Sequence, residues 1–388
     1  MDEKNLPCSR LITDEQGTQK EYSTISQVSK KVKSENEILK LFADTSTRFA
    51  LQGEAQRIIG KRFPHLKNRN FLKCYDRVRS SLIEFNRNPD TERCYLSGVI
   101  TCHNTHSCPV CASRIMGYRS FEVGEAVKDW FAEDPDNTCY MITFTFRHTI
   151  EDRLSFLLKH SADALVYFWG HRAIRKIFDG AFRVGRITGR EVRYNLSSGW
   201  HPHEHILVFC KKTDFDVSVF QDIWLRGLKS SGLSGIGDIA FRIEETRSAD
   251  KYLTKVANEM VLGALKEGRS SGSYAPFQLL SEVYDGSDWA VDPFIEFFSA
   301  TRGYNALRWS PGLKNRFDIT DLSDSDISNL NKDQDSKLHT VFKLCALAYR
   351  RLSKHEIAML INKSSVADYE GIGTILKNAG IKQDEVFA

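Results

Sequence analysis

Ser198-Gly199-Trp200-His201-Pro202-His203-Glu204-His205-Ile206-Leu207-Val208-Phe209 sets a histidine at every second position and then runs into apolar residues. Alternate residues of an extended strand share a face, so His203 and His205, with His201 before the Pro202 interruption, point the same way. Neutral imidazoles grouped in this manner are ready ligands for a divalent metal. The plain alternative is a set of solvated histidines at a strand start.

Just upstream, residues 182–194 alternate again, and the short link from Asn195 to Gly199 predicts a hairpin with the histidine strand. Glu191 then faces the metal from the adjacent strand, or forms an exposed ion pair with Arg190 or Arg193. The run Cys139-Tyr-Met-Ile-Thr143-Phe-Thr145-Phe-Arg147-His148 is dense in β-formers and reads as a central strand. Thr143, Thr145 and Arg147 alternate to one face, as the lining of a groove or as ordinary sheet filling. Helices are expected around residues 119–131, 154–178 and 217–233, with a further short strand at 239–245.

A chain of 388 residues can bury a large core and carry appendages beside a main domain. Its net charge of +4 does not by itself argue for nucleic acid. The local distribution is less even: residues 56–80 carry Arg57, Lys61, Arg62, Lys67, Arg69, Lys73, Arg77 and Arg79 against one acid, Asp76. Such a stretch tracks phosphates or forms the solvated face of a helix. No apolar segment follows the N-terminal Met1-Asp2-Glu3-Lys4, and no apolar run approaches a membrane span, so a soluble, cytoplasmic protein with no membrane partner is expected.

Nine cysteines, four of them between Cys94 and Cys111, look like metal ligands in a reducing compartment rather than a disulfide framework. Cys108-Pro-Val-Cys111 has knuckle spacing for tetrahedral zinc, and Cys102 with either Cys94 or His106 completes four ligands. Buried free thiols are the alternative. Further on, Tyr252 and Lys255 stand one helical turn apart, where an ammonium favours the phenolate of its neighbour, although such pairs are common on surface helices. Arg308 and Lys314 beside Tyr304 and Trp309 are candidates for phosphates and bases, with the aromatics as core in the plainer reading. The chain divides into a flexible lead-in (1–45), a basic helical segment (46–93), the zinc segment with the main domain (94–317), an acidic linker (318–336) and a helical C-terminal appendage (337–388). No phosphate-binding loop ending in Gly-Lys-Ser or Gly-Lys-Thr is present.

Met141-Ile-Thr-Phe-Thr-Phe, His201-Pro-His-Glu-His205 and Tyr252-Leu-Thr-Lys255, in this order and spacing, resemble the motifs of rolling-circle replication initiators, the Rep proteins of the HUH endonuclease superfamily. The single-tyrosine plasmid group is the most similar, and the segments 101–111 and 303–313 also look like stretches common there. The likeness spans about residues 94–317. It implies an α+β fold: a five-stranded antiparallel sheet flanked by helices, with the histidines on a central strand and the tyrosine on an opposing helix. It further implies Mg²⁺ or Mn²⁺ at His203 and His205, with Glu191 or His201 as third ligand, Zn²⁺ at the cysteines, and Tyr252 as nucleophile assisted by Lys255. Arg147, Lys251, Arg308 and Lys314 would contact DNA. The implied substrate is single-stranded or hairpin origin DNA, nicked, held by its 5′ phosphate and later rejoined, with a host helicase and polymerase extending the 3′ end.

Two positions depart from the pattern. Glu204 stands where a bulky apolar residue is usual, and Ser248 where some relatives carry a glutamate one turn before the tyrosine. A conjugative relaxase or a transposase would use the same chemistry, and a zinc-containing DNA-binding repressor would use none of it.

Overall fold

Asn195 turns the chain back on itself: its Oδ1 accepts from the backbone N–H groups of Ser197 at 2.9 Å and Ser198 at 3.2 Å. Gly199, paired with it, takes φ 77°, and a Cβ there would lie 2.8 Å from the Ile150 Cα, so glycine closes the turn without strain. The computed structural model describes residues 44–66, 69–89, 92–246, 272–329 and 338–387, together with the backbone of 12–13 and 19–20. Lys251, Tyr252 and Lys255 lie outside the described residues.

The turn joins strands Gly185–Asn195 and Gly199–Lys211, antiparallel, with Glu191 opposite His203. Asn137–Phe144 pairs along the other side of the histidine strand, Thr143 opposite His205, and Phe241–Thr246 lies beyond it. Leu307–Trp309 runs along the outer side of Gly185–Asn195, which leaves the histidine strand in the middle of this path of five. Ser273–Tyr274 adds a short sixth strand at Tyr194 and Asn195. The molecule is therefore α+β, with antiparallel sheets.

Alternation gives this sheet two faces. Met141, Ile187, Leu207 and Phe209 pack against Met116, Val123 and Trp130 of the Pro109–Glu133 helix. On the reverse, Phe144 meets Phe168 of Leu154–Gly170 with ring centroids 4.9 Å apart and Trp224 of Val217–Ser230 at 4.8 Å. The helix expected over 154–178 is broken at His171, whose ring Nδ1 accepts from Ala173 N at the start of Arg172–Gly180. No helix among the described residues is long and apolar enough to cross a membrane.

The two ends of the chain differ from the sequence reading. Residues 337–388 are not a purely helical appendage, because His339–Cys345 is a strand between Leu82–Asn88 and Val386–Phe387. With Arg93–Ser97 they form a second, four-stranded antiparallel sheet, so residues 46–93 are not helical throughout either. Helix Lys354–Ser365 then packs on Thr45–Arg62, and the N-terminal and C-terminal segments make one module. Strands so far apart in sequence leave no turn signal between them, which is why periodicity alone does not find the pairing. The acidic segment is anchored as far as it is described: Asp324–Ser328 is a capped helix, and Arg119 donates to Asp324 at 2.9 Å and to the Leu322 carbonyl at 2.7 Å.

Candidate active site and metal centre

Strand pairing fixes the histidine face. His205 Nε2 lies 3.2 Å from Glu191 Oε2, and its Nδ1 lies 3.1 Å from Thr143 Oγ1. A carboxylate only accepts, so Nε2 carries the proton, while the Thr143 hydroxyl, which can donate or accept, engages Nδ1. Arg193 Nε donates to the second Glu191 oxygen at 2.7 Å. His201 Nε2 lies 2.9 Å from Thr145 Oγ1, its ring stacks between those of His148 and His203, and His148 Nδ1 donates to the Ser198 carbonyl at 3.0 Å. Thr143 and Thr145 thus hold the rings, a role that the alternation of that strand leaves open in the sequence. The face position of His148 is not legible there, because the strand ends at Phe144.

Charge on this face is controlled by burial. Burial, and then the neighbouring His148, holds His201 down at about 4, while burial and His201 hold His203 at about 3. Burial opposes ionisation of Glu191 as well, but the hydrogen bond from His205 and the charge of Arg193 overcome it and keep the carboxyl at about 2. At neutral pH His201 and His203 are neutral imidazoles beside an ionised Glu191. The linkage has one sign. As pH falls below 6.5 the unfolded chain protonates its histidines before the folded one does, and the stability from Glu191 is lost as pH falls from 4.5 toward 2. The unfolding free energy from urea titration should therefore be level near neutrality and drop from about pH 6.5 downward, by a few kcal/mol at pH 4.5. A free energy that holds constant down to pH 4.5 would contradict the buried, neutral state.

A second cluster is more compact. The sulfurs of Cys74, Cys102, Cys108 and Cys111 all lie within 4.8 Å of one another, and among the described residues this is the one group of three or more such ligands so placed. Cys74 is 3.9 Å from Cys108 and 3.6 Å from Cys111, and Cys102 is 3.7 Å from Cys111. A disulfide needs about 2.0 Å. A tetrahedron with Zn–S near 2.3 Å has edges of about 3.8 Å, so the quartet fits zinc. Cys108 caps the N-terminus of Pro109–Glu133, where the helix dipole favours a thiolate, and Gln52 Nε2 donates to its sulfur at 3.1 Å. Lys354 Nζ in turn donates to Gln52 Oε1 at 3.1 Å, which orients the amide. Burial works against a Cys108 thiolate, yet hydrogen bonds from the other three thiols hold it well below the usual range, whereas burial pushes Cys74 and Cys102 up.

The fourth thiol is Cys74, which corrects the expectation of Cys94 or His106. Cys94 sits on the second sheet opposite Arg87, where burial pushes its thiol up to about 12. His106 Nε2 is engaged 3.0 Å from the Tyr304 carbonyl, and burial holds the ring at about 4. Spacing alone does not separate Cys74 from Cys94, since Cys74 lies within the stretch notable for its basic residues.

Of the expected DNA contacts, Arg147 and Arg308 are exposed. Lys314 is not available: it is buried, with Nζ 3.0 Å from Glu122 Oε1 and 3.1 Å from Asp321 Oδ1. Glu122 is buried as well and needs Lys314 and Arg119 as counter-charges, so Lys314 is structural. Lys251, Tyr252 and Lys255 cannot be placed, being outside the described residues.

Comparison with known proteins adds a sequence relationship. The chain is 27% identical to Protein rep of Streptomyces lividans over 309 residues, covering 60% of this chain and 67% of that protein. It is 31% identical over 135 residues to a Streptomyces cyanogenus protein named Neomycin resistance protein, covering 29% of this chain and 30% of the relative. No family model and no solved structure matches. The likeness to Rep proteins read from the motifs is borne out by the first of these relatives.

Proposed function

We propose that this homologue of a Rep protein is a rolling-circle replication initiator of the HUH type, which nicks one strand of origin DNA through a tyrosine and later rejoins the displaced strand. The observation that carries the reading is the histidine face, where His205 and a neutral His203 stand on the middle strand beside an ionised Glu191. His203 and His205, with Glu191 or His201 as third ligand, would hold Mg²⁺ or Mn²⁺. When bound, the ion supplies a Lewis acid for the scissile phosphate.

The rest falls to the chain's own residues. The Tyr252 oxygen attacks phosphorus in line, the P–O3′ bond breaks, and the released 3′ oxygen takes a proton and becomes the primer for a host polymerase, with a host helicase opening the duplex. Lys255 stabilises the phenolate and the charge that develops on the phosphate. Attack by a free 3′ hydroxyl on the phosphotyrosine reverses the step and rejoins the strand. Lys251, Arg147 and Arg308 would hold phosphates, and Cys74, Cys102, Cys108 and Cys111 would hold a structural zinc.

The test is a labelled single-stranded origin library incubated with Mg²⁺ or Mn²⁺. Changing both His203 and His205 to Ala should abolish metal-dependent nicking and keep the fold and most phosphate-driven binding. Undiminished nicking by the double variant would sink the assignment, and a wild-type chain that binds but never nicks would favour a repressor.

A further inference from the structure

On the sheet face turned away from the histidines, a cavity of about 390 Å³ lies between helix Leu154–Gly170, strand Gly185–Asn195 and residues 303–308. Glu204, the residue that departs from the family pattern, is its one acidic lining residue. That carboxylate is buried and bonded to Arg190, which is thereby set 4.7 Å above the Tyr304 ring. Beside this pair, the Arg186 guanidinium lies 4.3 Å over the Trp169 ring, and Arg308 lines the same cavity.

Among the described residues neither Arg186 nor Arg308 makes a close ion pair, and Glu204, bonded to Arg190, is the one carboxylate whose charge acts on Arg308. Burial, followed by the like charges of Arg183 and Arg308, lowers Arg186 to about 10, so it remains a cation at neutral pH in a crowd of cations. Trp169 Nε1 is buried without a hydrogen-bond partner among the described residues. Tyr304 is 36% exposed and offers a ring to solvent. Three arginines against one carboxylate, beside exposed aromatic surface, form the combination that takes a phosphodiester and a base together.

We propose that this groove is a second DNA site, holding a phosphate of a single strand on Arg186 and Arg308 and a base against Tyr304, on the opposite side of the sheet from the histidines. The choice of DNA rests on the function proposed above; the demand for a phosphate-bearing aromatic ligand rests on the groove. A strand held there stays bound to the protein while the histidine face acts on another segment.

The test uses the full chain carrying Tyr252→Phe, with binding of a fluorescein-labelled oligothymidylate followed by anisotropy over a salt series. Arg186→Gln with Arg308→Gln should weaken binding about tenfold at 0.1 M salt and flatten the log–log salt slope by about 1.4, two phosphate contacts for a single strand. Arg186→Lys with Arg308→Lys should restore the slope, and an oligonucleotide containing 5-iodouracil should crosslink to the peptide of Tyr304 or Trp169. Unchanged affinity and slope in a double variant with the parent's thermal midpoint overturn the proposal. If that variant does not fold, Arg308→Gln alone carries the test, at about half the slope change. Binding is read in a chain without its proposed nucleophile, so nicking by Tyr252→Phe defeats the catalytic reading alone, and a null result in the groove removes Arg308 from the phosphate contacts while leaving the roles of Tyr252 and the histidines standing.

Discussion

Tyr252→Phe should give a protein that binds origin DNA as tightly as its parent, yet neither nicks the strand nor becomes joined to it. The substitution removes one oxygen. Covalent catalysis splits a transfer in two and makes that oxygen a reactant, so its loss should lower the rate by at least about a thousandfold. Lys255→Ala should only slow the step, by about a hundredfold, since a charge-stabilising neighbour assists without being consumed. The measurement is mass spectrometry after cleavage of an oligonucleotide labelled at its 3′ end, so that the label travels with the protein. A nucleotide-modified peptide containing Tyr252 is the expected product. Two competing tyrosines are poorly suited: Tyr194 and Tyr274 pair across adjacent strands, and burial together with Glu296 and Glu282 respectively raises both phenols and disfavours the phenolate. An adduct on Tyr194, Tyr274 or Tyr304, or efficient cleavage with no adduct, refutes the assignment.

What the sequence made legible follows the range of its signals. The histidine spacing and the Asn195–Gly199 turn are local, and the structure has the hairpin and the shared face that they imply. Register follows from that turn, and so Glu191 falls opposite His203. The ring-holding threonines come from a strand whose period of two was visible, but which of its residues would meet a histidine depends on a pairing that no local pattern encodes. Lys314 was misread for a related reason. Five residues after Trp309 it looks like a nucleic-acid contact, and only the distant Glu122 shows it to be a buried counter-charge. The second sheet is the least legible, because its strands 82–88 and 339–345 meet across most of the chain's length, and the Cys74 position needs a contact with Cys108 and Cys111 across 34 and 37 residues that no local pattern encodes.

Cys74→Ser should cost the protein its zinc. Purified wild type should retain one zinc per chain through gel filtration, whereas the serine variant should be substoichiometric and lose several kcal/mol of stability, since metal affinity at a structural site is also folding free energy. The expected damage is architectural. Cys74 follows the Asn70–Lys73 turn, Cys102 leaves the second sheet, and Cys108 and Cys111 begin the helix that roofs the main sheet, so the ion would fasten the terminal module to the domain that carries the histidines. Gln52 and Lys354 extend the same fastening to helices Thr45–Arg62 and Lys354–Ser365 through their hydrogen bonds toward Cys108. Cys94→Ser and His106→Ala are the controls, because neither side chain joins the quartet; both should leave the zinc content at one per chain. Elemental analysis beside thermal denaturation reads the outcome. Loss of zinc from Cys94→Ser with retention in Cys74→Ser would overturn the ligand set, and a metal-free wild type of undiminished stability would overturn the site.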